Sequence, residues 1–296
     1  AALWMPCALA DEAYANAPFA RAQGAVSPAS LARCASLRAA GELTSDDLAG
    51  QAAQARSHLL NLGWTDEAIA AGALSTQFDL WRAVNATYAS AYLRAGAADM
   101  PCGFSFGLLD AQGQPRRPTD AERAAWWSDA SGIPPGNGIA LLGGATTTAD
   151  PLLEGNRCLR ALWDDGKVAG AVQATRAAAP RAGLPLFVVH GTEDGLVPEA
   201  FSGAAYARWA RSQGATLSYW RVHSAQHFDA LLGLPALGSR YVPLMPYAYR
   251  ALDLAWQHLA AGAPLPTDAD IQPVPRTLAT DGRLEPLAPA HLGTLP

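Results

Sequence analysis

The sequence is poor in charge: 16% of its 296 residues are Asp, Glu, Lys or Arg, and the net charge is −5. Its 21 Lys and Arg are scattered singly or in pairs such as Arg116-Arg117, which argues against a nucleic-acid partner. Long hydrophobic runs are missing too. Uncharged stretches such as Leu184 to Gly191 are much too short to cross a bilayer. Cysteine is scarce: Cys7, Cys34, Cys102 and Cys158 lie far apart with no C-x-x-C pair, which argues against a zinc site. Two disulfides or four buried thiols remain open. The even count leans toward disulfides and, weakly, toward an extracellular or periplasmic setting. No methionine starts the chain and no basic segment precedes the small apolar residues 1–10, so these do not read as an intact signal peptide. No internal repeat is visible.

What is present suits a sizeable core, because half the residues are hydrophobic. The first half reads as helices. Ser27-Pro28 starts one that Gly41 ends, Thr44-Ser45-Asp46-Asp47 caps a second running to about Leu60, and Thr65-Asp66-Glu67 starts a third. Phe78, Trp81, Val84, Tyr88, Tyr92 and Leu93 recur every three to four residues, which predicts a helix burying that face. A further helix is expected from Thr119-Asp120 through Trp126 and Trp127, after an irregular segment rich in Gly and Pro from Pro101 to Pro118.

From about residue 156 the pattern becomes helix, strand, helix, strand, helix. Lys167 to Ala178 is helical in character, and Leu184 to Val189 (LPLFVV) is a continuous apolar run that suits a strand buried on both faces. Glu199 to Ser212 is helical again, Thr216 to Val222 (TLSYWRV) is a strand, and Tyr247 to Leu259 is the closing helix. Such alternation implies a parallel, layered α/β sheet. The expected division is a mostly helical lid or cap insertion over 1–155, a sheet-bearing core over 156–262 and an extended Pro-rich tail over 263–296.

The strongest chemical signal is LPLFVVHGTEDGLVP at 184–198, a buried strand that ends in a Gly-containing turn and presents Asp194. Catalytic groups in open α/β sheets sit at such carboxyl ends of strands. One strand later comes the loop His223-Ser224-Ala225-Gln226-His227-Phe228-Asp229. An acid after one strand and a histidine after the next is the α/β-hydrolase order, in which the carboxylate fixes the tautomer of a histidine base. His227 is favoured over His223, which ends the strand, and Asp194 over Glu193, which stands earlier in the turn. Without the pairing, a turn Asp that caps the next helix and a histidine satisfied within the structure would be the ordinary readings. His190 closes the first strand and is expected to bond locally.

The nucleophile is the weak point. One G-x-S-x-G match exists, Gly103-Phe104-Ser105-Phe106-Gly107. A nucleophile elbow needs a buried strand before it and a helix after it, yet AGAADMPC precedes this match and LLDAQGQPRRP follows. No series of strands and no oxyanion segment precedes residue 150. The expectation is therefore the C-terminal portion of an α/β-hydrolase sheet, preceded by a mostly helical lid or insertion, with the nucleophile upstream of Ala1. Such a half-sheet should show an exposed strand edge.

Five segments, LWMPCALA, GNRCLRALW at 155–163, PLFVVHGTEDGLVP at 185–198, YWRVHSAQHFDA at 219–230 and YVPLMPYAYRALD at 241–253, are distinctive in combination. Through them the chain resembles the 3-hydroxybutyrate oligomer hydrolase family along most of its length. It implies a secreted serine esterase that cleaves short 3-hydroxybutyrate oligomers with water and no cofactor, and it matches Asp194 and His227 to the family's acid and base. Trp81, Tyr88, Trp126 and Trp127 would offer apolar surface to such a substrate, although a helical-period stripe more often packs than binds. Two other readings stand beside it: a complete but divergent serine esterase or peptidase using Ser105, and a non-catalytic hydrolase-like binding protein.

Overall fold

The computed structural model describes residues 1–96, 99–112, 115–126, 140–143, 150–164 and 166–296. In chain order it contains α1 (Met5–Ala8), the short pair β1 (Arg21–Ala22) and β2 (Ala25–Val26), α2 (Pro28–Ala39), α3 (Leu48–Leu62), α4 (Asp66–Gln77) and α5 (Leu80–Leu93). Then come β3 (Ser105–Leu109), β4 (Pro115–Arg116), α6 (Asp120–Trp126), β5 (Ala140–Leu142), α7 (Pro151–Asp164) and α8 (Lys167–Ala174). The series closes with β6 (Leu186–Gly191), α9 (Gly203–Ser212), β7 (Leu217–Val222), α10 (Pro235–Gly238), α11 (Met245–Ala261) and β8 (Ala269–Ile271). Trp127, expected to extend α6, lies outside the described residues.

The chain forms two compact units, and they interleave. One takes residues 1–3, 35–42 and 79–176; the other takes 4–34, 43–78 and 177–296. α1, α3 and α4 fall in the same compact unit as the later strands. The reason is close approach by small residues. A Cβ on Gly195, in the loop after β6, would lie 2.2 Å from the Gly72 nitrogen of α4, so backbone meets backbone there. Ala71 and Leu74 of α4 also pack with Leu232, Leu237 and Tyr241.

In the sheet-bearing unit, β6, β7 and β8 run parallel in that order, with Leu186 opposite Leu217 and Gly191 opposite Val222. Alternation along the strands serves two layers. Leu186, Val188, Leu217 and Tyr219 pack toward α9, whereas Phe187, Val189, Trp220 and Val222 pack with Tyr247 and Ala251 of α11. The residues past 262 do more than trail along the surface. They supply β8, and the Tyr247 hydroxyl donates to the Leu292 carbonyl over 2.9 Å.

Local signals explain the helices of this unit. The Asp47 side chain accepts from the Gly50 N–H and the Thr65 hydroxyl accepts from the Ala68 N–H, each occupying an orphan donor of the first turn. Gly63, at φ 105°, ends α3 in the left-handed region. A Cys7–Cys34 disulfide joins α1 to α2.

The other unit is built around α5, α7 and α8, with a small antiparallel sheet of order β4-β3-β5 and a Cys102–Cys158 disulfide. Here the expected buried face of α5 holds only in part, with Trp81, Val84, Tyr92 and Leu93 half-buried. Tyr88 is exposed, as is Phe78 just before the helix, while the small residues Ala86 and Ala89 are buried with Phe104, Leu141 and Leu159. Small side chains let the helix backbone approach its neighbours closely. Tyr88 and Tyr92, one turn apart, instead sit ring to ring at 5.9 Å.

The disulfides generate a prediction. Cys7→Ala combined with Cys34→Ala releases a 27-residue loop and should destabilise the sheet-bearing unit by about 2–4 kcal/mol. Calorimetry of the double variant checks this, and an unshifted transition contradicts it.

Candidate active site

The two residues singled out at the strand ends meet. The His227 Nδ1 donates to the Asp194 Oδ2 over 2.6 Å, and the His227 backbone N–H reaches the same oxygen over 3.2 Å. The other oxygen, Oδ1, accepts from the backbone N–H groups of Leu196 at 2.9 Å and Val197 at 2.7 Å. The carboxylate is therefore held by its own turn on one side and by the histidine loop on the other. Its side chain is 2% exposed and that of His227 is 39% exposed, so the acid is sealed while the imidazole reaches solvent. Among the described residues, Nε2 of His227 has no hydrogen-bond partner. The Phe228 ring lies 4.0 Å from the imidazole, centroid to centroid, and limits its rotation.

Burial works against the charged form of Asp194. The His227 hydrogen bond and charge, with the N–H groups of Val197 and Leu196, outweigh burial and hold the carboxyl below its ordinary value of 3.8. Glu193 differs: burial raises its carboxyl above the usual range, and its partner is the backbone N–H of Ser224 rather than an imidazole. It ties the two loops together without touching His227.

The two other histidines at the ends of these strands bond elsewhere. The His190 Nε2 lies 3.1 Å from the Val197 carbonyl, and the His223 Nε2 lies against the Asp270 carboxylate of β8. Ser105 opens β3, opposite Leu142 of β5, in an antiparallel sheet of the other compact unit. A strand-to-helix elbow is not its setting. No group of three or more His, Cys, Asp or Glu among the described residues could hold a metal ion.

Three positioning residues escaped the sequence reading. Gly191 ends β6 where a Cβ would lie 2.3 Å from the Ala225 carbonyl oxygen, so only glycine lets the histidine loop cross there. Gly195 plays the same part against α4. Asp229 places Oδ1 and Oδ2 each 2.9 Å from the backbone N–H groups of Leu244 and Met245, capping the N-terminus of α11 from fifteen residues upstream. The missing signal was local: Leu244 precedes the helix and has no side-chain cap, so the acceptor had to come from elsewhere. Asp229 thereby fixes the downstream end of the loop that carries His227.

The family model described as 3HB-oligomer hydrolase matches residues 1–296. The D-(-)-3-hydroxybutyrate oligomer hydrolase of Paraburkholderia xenovorans (strain LB400) is 38% identical over 301 residues, which cover 97% of this chain and 42% of that protein. Proteins of the same description from Burkholderia mallei (strain SAVP1) and Burkholderia pseudomallei (strain 668) are each 35% identical over 290 residues, covering 93% of this chain and 42% of theirs. The chain thus spans less than half the length of these curated relatives. No solved structure matches it.

The geometry makes two predictions. Because the folded carboxyl titrates below 3.8, Asp194 contributes stability that is complete above that value and is lost as pH falls through the lower, folded one. Asp194→Asn should lose about 2–3 kcal/mol at neutral pH and show a shallower acid limb in urea titrations, whereas parallel limbs contradict the assignment. Gly191→Ala should cost about 1–3 kcal/mol from overpacking, read as a fall in the urea midpoint, and an unmoved midpoint would show that the loops can separate freely.

Proposed function

The chain belongs to the 3HB-oligomer hydrolase family, and from that premise we propose that it carries the acid and base of a serine esterase acting on short 3-hydroxybutyrate oligomers. The observation that carries this reading is the Asp194–His227 pair. With Nδ1–H donated to the carboxylate, the neutral imidazole presents Nε2 as a base. His227 takes the proton of an attacking serine hydroxyl as the ester carbonyl becomes tetrahedral, then returns it to the leaving 3-hydroxyl oxygen. Water enters by the same path in reverse to free the acyl group. Asp194 stays ionised and stabilises the imidazolium.

The serine belongs to residues outside this chain. Supporting this are the His227 Nε2 that has no partner among the described residues, the antiparallel setting of Ser105 and the share of the relatives' length that the chain spans. The small parallel sheet is then the C-terminal part of an α/β-hydrolase sheet. Two disulfides support an oxidising, extracellular or periplasmic location.

Release of 3-hydroxybutyrate from its dimer tests the reading. The 296-residue chain alone should show no hydrolysis above background, while the full product of the gene should be active. In that product, Asp194→Asn should lower kcat about 10⁴-fold and His227→Ala at least as much. Hydrolysis by the isolated chain that disappears in Ser105→Ala would make it a complete enzyme using that serine. Full activity of the His227→Ala enzyme would remove the histidine from the mechanism.

A further inference from the structure

An aromatic surface begins at the histidine and runs away from it. The Phe228 ring lies against the His227 imidazole and also packs on the cluster of Ala71, Leu74, Leu232, Leu237 and Tyr241. Phe19 packs on the same cluster, and its ring meets that of Phe78 at 6.0 Å between centroids. Phe78 follows the last turn of α4. Ala71, Leu74 and Phe78 stand at i, i+3 and i+7, so Phe78 prolongs the helix face that meets the cluster. The same helix touches the acid turn at Gly195. All of these residues belong to the sheet-bearing unit.

Core packing does not account for the two outer rings. Phe78 is 59% exposed and Phe19 is half-buried. Phe19 stands at φ 68°, a left-handed conformation that bulky side chains avoid. The surroundings hold it there. On one flank the Arg21 guanidinium donates to the carbonyls of Leu9, Ala10 and Asp11, and on the other Arg240 donates to the Asn16 carbonyl over 2.7 Å. A strained residue persists where its neighbours over-determine it, and such strain gathers at ligand-binding segments. Here it fixes a phenyl ring beside the histidine loop, since Arg240 belongs to the segment that follows that loop.

The chemistry at the base decides which part of a substrate meets this surface. His227 returns its proton to the leaving 3-hydroxyl oxygen, so the leaving side of the oligoester lies against the imidazole while the acyl side is held at the serine. The carbon bearing that oxygen carries a methyl group, and each further unit on the leaving side adds another. We propose that Phe228, Phe19 and Phe78 form the binding wall for the leaving side, with Phe228 beside the first unit and Phe19 and Phe78 beside the second. The inference rests on the preceding reading of His227 as the base of an esterase, and it adds a preference for length. A dimer ends its leaving side after one unit, in a carboxylate that gains nothing from phenyl rings. A trimer cut at its hydroxyl-terminal ester places an uncharged ester there and a second methyl on the outer rings.

Steady-state hydrolysis of the 3-hydroxybutyrate dimer and trimer by the full product of the gene tests the wall. Phe78→Ala should lower kcat/KM for the trimer about 10-fold, carried by KM, and should lower the trimer-to-dimer ratio of kcat/KM roughly 5-fold or more. Phe78→Leu should recover most of the loss. A ratio that Phe78→Ala leaves unchanged overturns the proposal. So does a thermal midpoint that Phe78→Ala lowers in the full product but not in the 296-residue chain, because Phe78 is then a packing contact for residues outside this chain. His227→Ala in the same assays keeps the questions apart. Full activity of that variant sinks the esterase reading and the wall with it, whereas its inactivity beside an unchanged ratio in Phe78→Ala sinks the wall alone.

Discussion

A carboxylate almost wholly removed from water is costly unless every lone pair finds a donor, and Asp194 satisfies that demand by joining two loops. Its Oδ1 closes the turn after β6 through Leu196 and Val197, and its Oδ2 collects both the backbone and the ring of His227. Hydrogen bonds to a charged acceptor contribute about 1.5–3 kcal/mol each, enough in sum to offset a desolvation penalty of several kcal/mol. The geometry of the histidine thus follows from the need to satisfy the acid. Around that point the remaining devices are arranged: Gly191 and Gly195 permit close approach, Glu193 stitches one loop to the other, and Asp229 anchors the segment leading into α11.

The same arrangement separates stability from chemistry. Asp194 is sealed and saturated, whereas the His227 ring reaches solvent and its Nε2 has no partner among the described residues, so in the proposed reaction the histidine is the member of the pair that exchanges a proton. Both groups stand at the carboxyl ends of adjacent parallel strands, where the strand direction points side chains of successive loops at a common place. Among the described residues no strand pairs with β6 on the side away from β7.

Much of this was legible in the sequence because it is written locally. Thr65 and Asp47 cap the helices they were read to start, and the apolar runs near 186 and 217 are the two strands. Asp194 and His227 each follow an apolar strand, with one helix and one strand between them, so their order along the chain pointed to neighbouring strand ends. The rest depends on contacts distant in sequence. Nothing near Gly191 announces that the Ala225 carbonyl will press against it, and nothing near Asp229 announces a helix fifteen residues on with no cap of its own. Periodicity found α5 but only part of its buried face, because Ala86 and Ala89 bury fully where bulkier side chains would hold the neighbours apart. The alternation of the units along the chain was hidden for the same reason, since α4 meets the loop after β6 through glycine and alanine.

The account depends on one proton. If Asp194 orients His227 as a base, the neutral imidazole carries its hydrogen on Nδ1 and leaves Nε2 bare. Long-range ¹⁵N–¹H correlation spectra of the chain with labelled histidine, recorded at alkaline pH and assigned with His227→Gln, read that tautomer directly. The account predicts a protonated Nδ1 for His227 that gives way to a mixture of tautomers in Asp194→Asn. A ring protonated on Nε2 in the unsubstituted chain would contradict it.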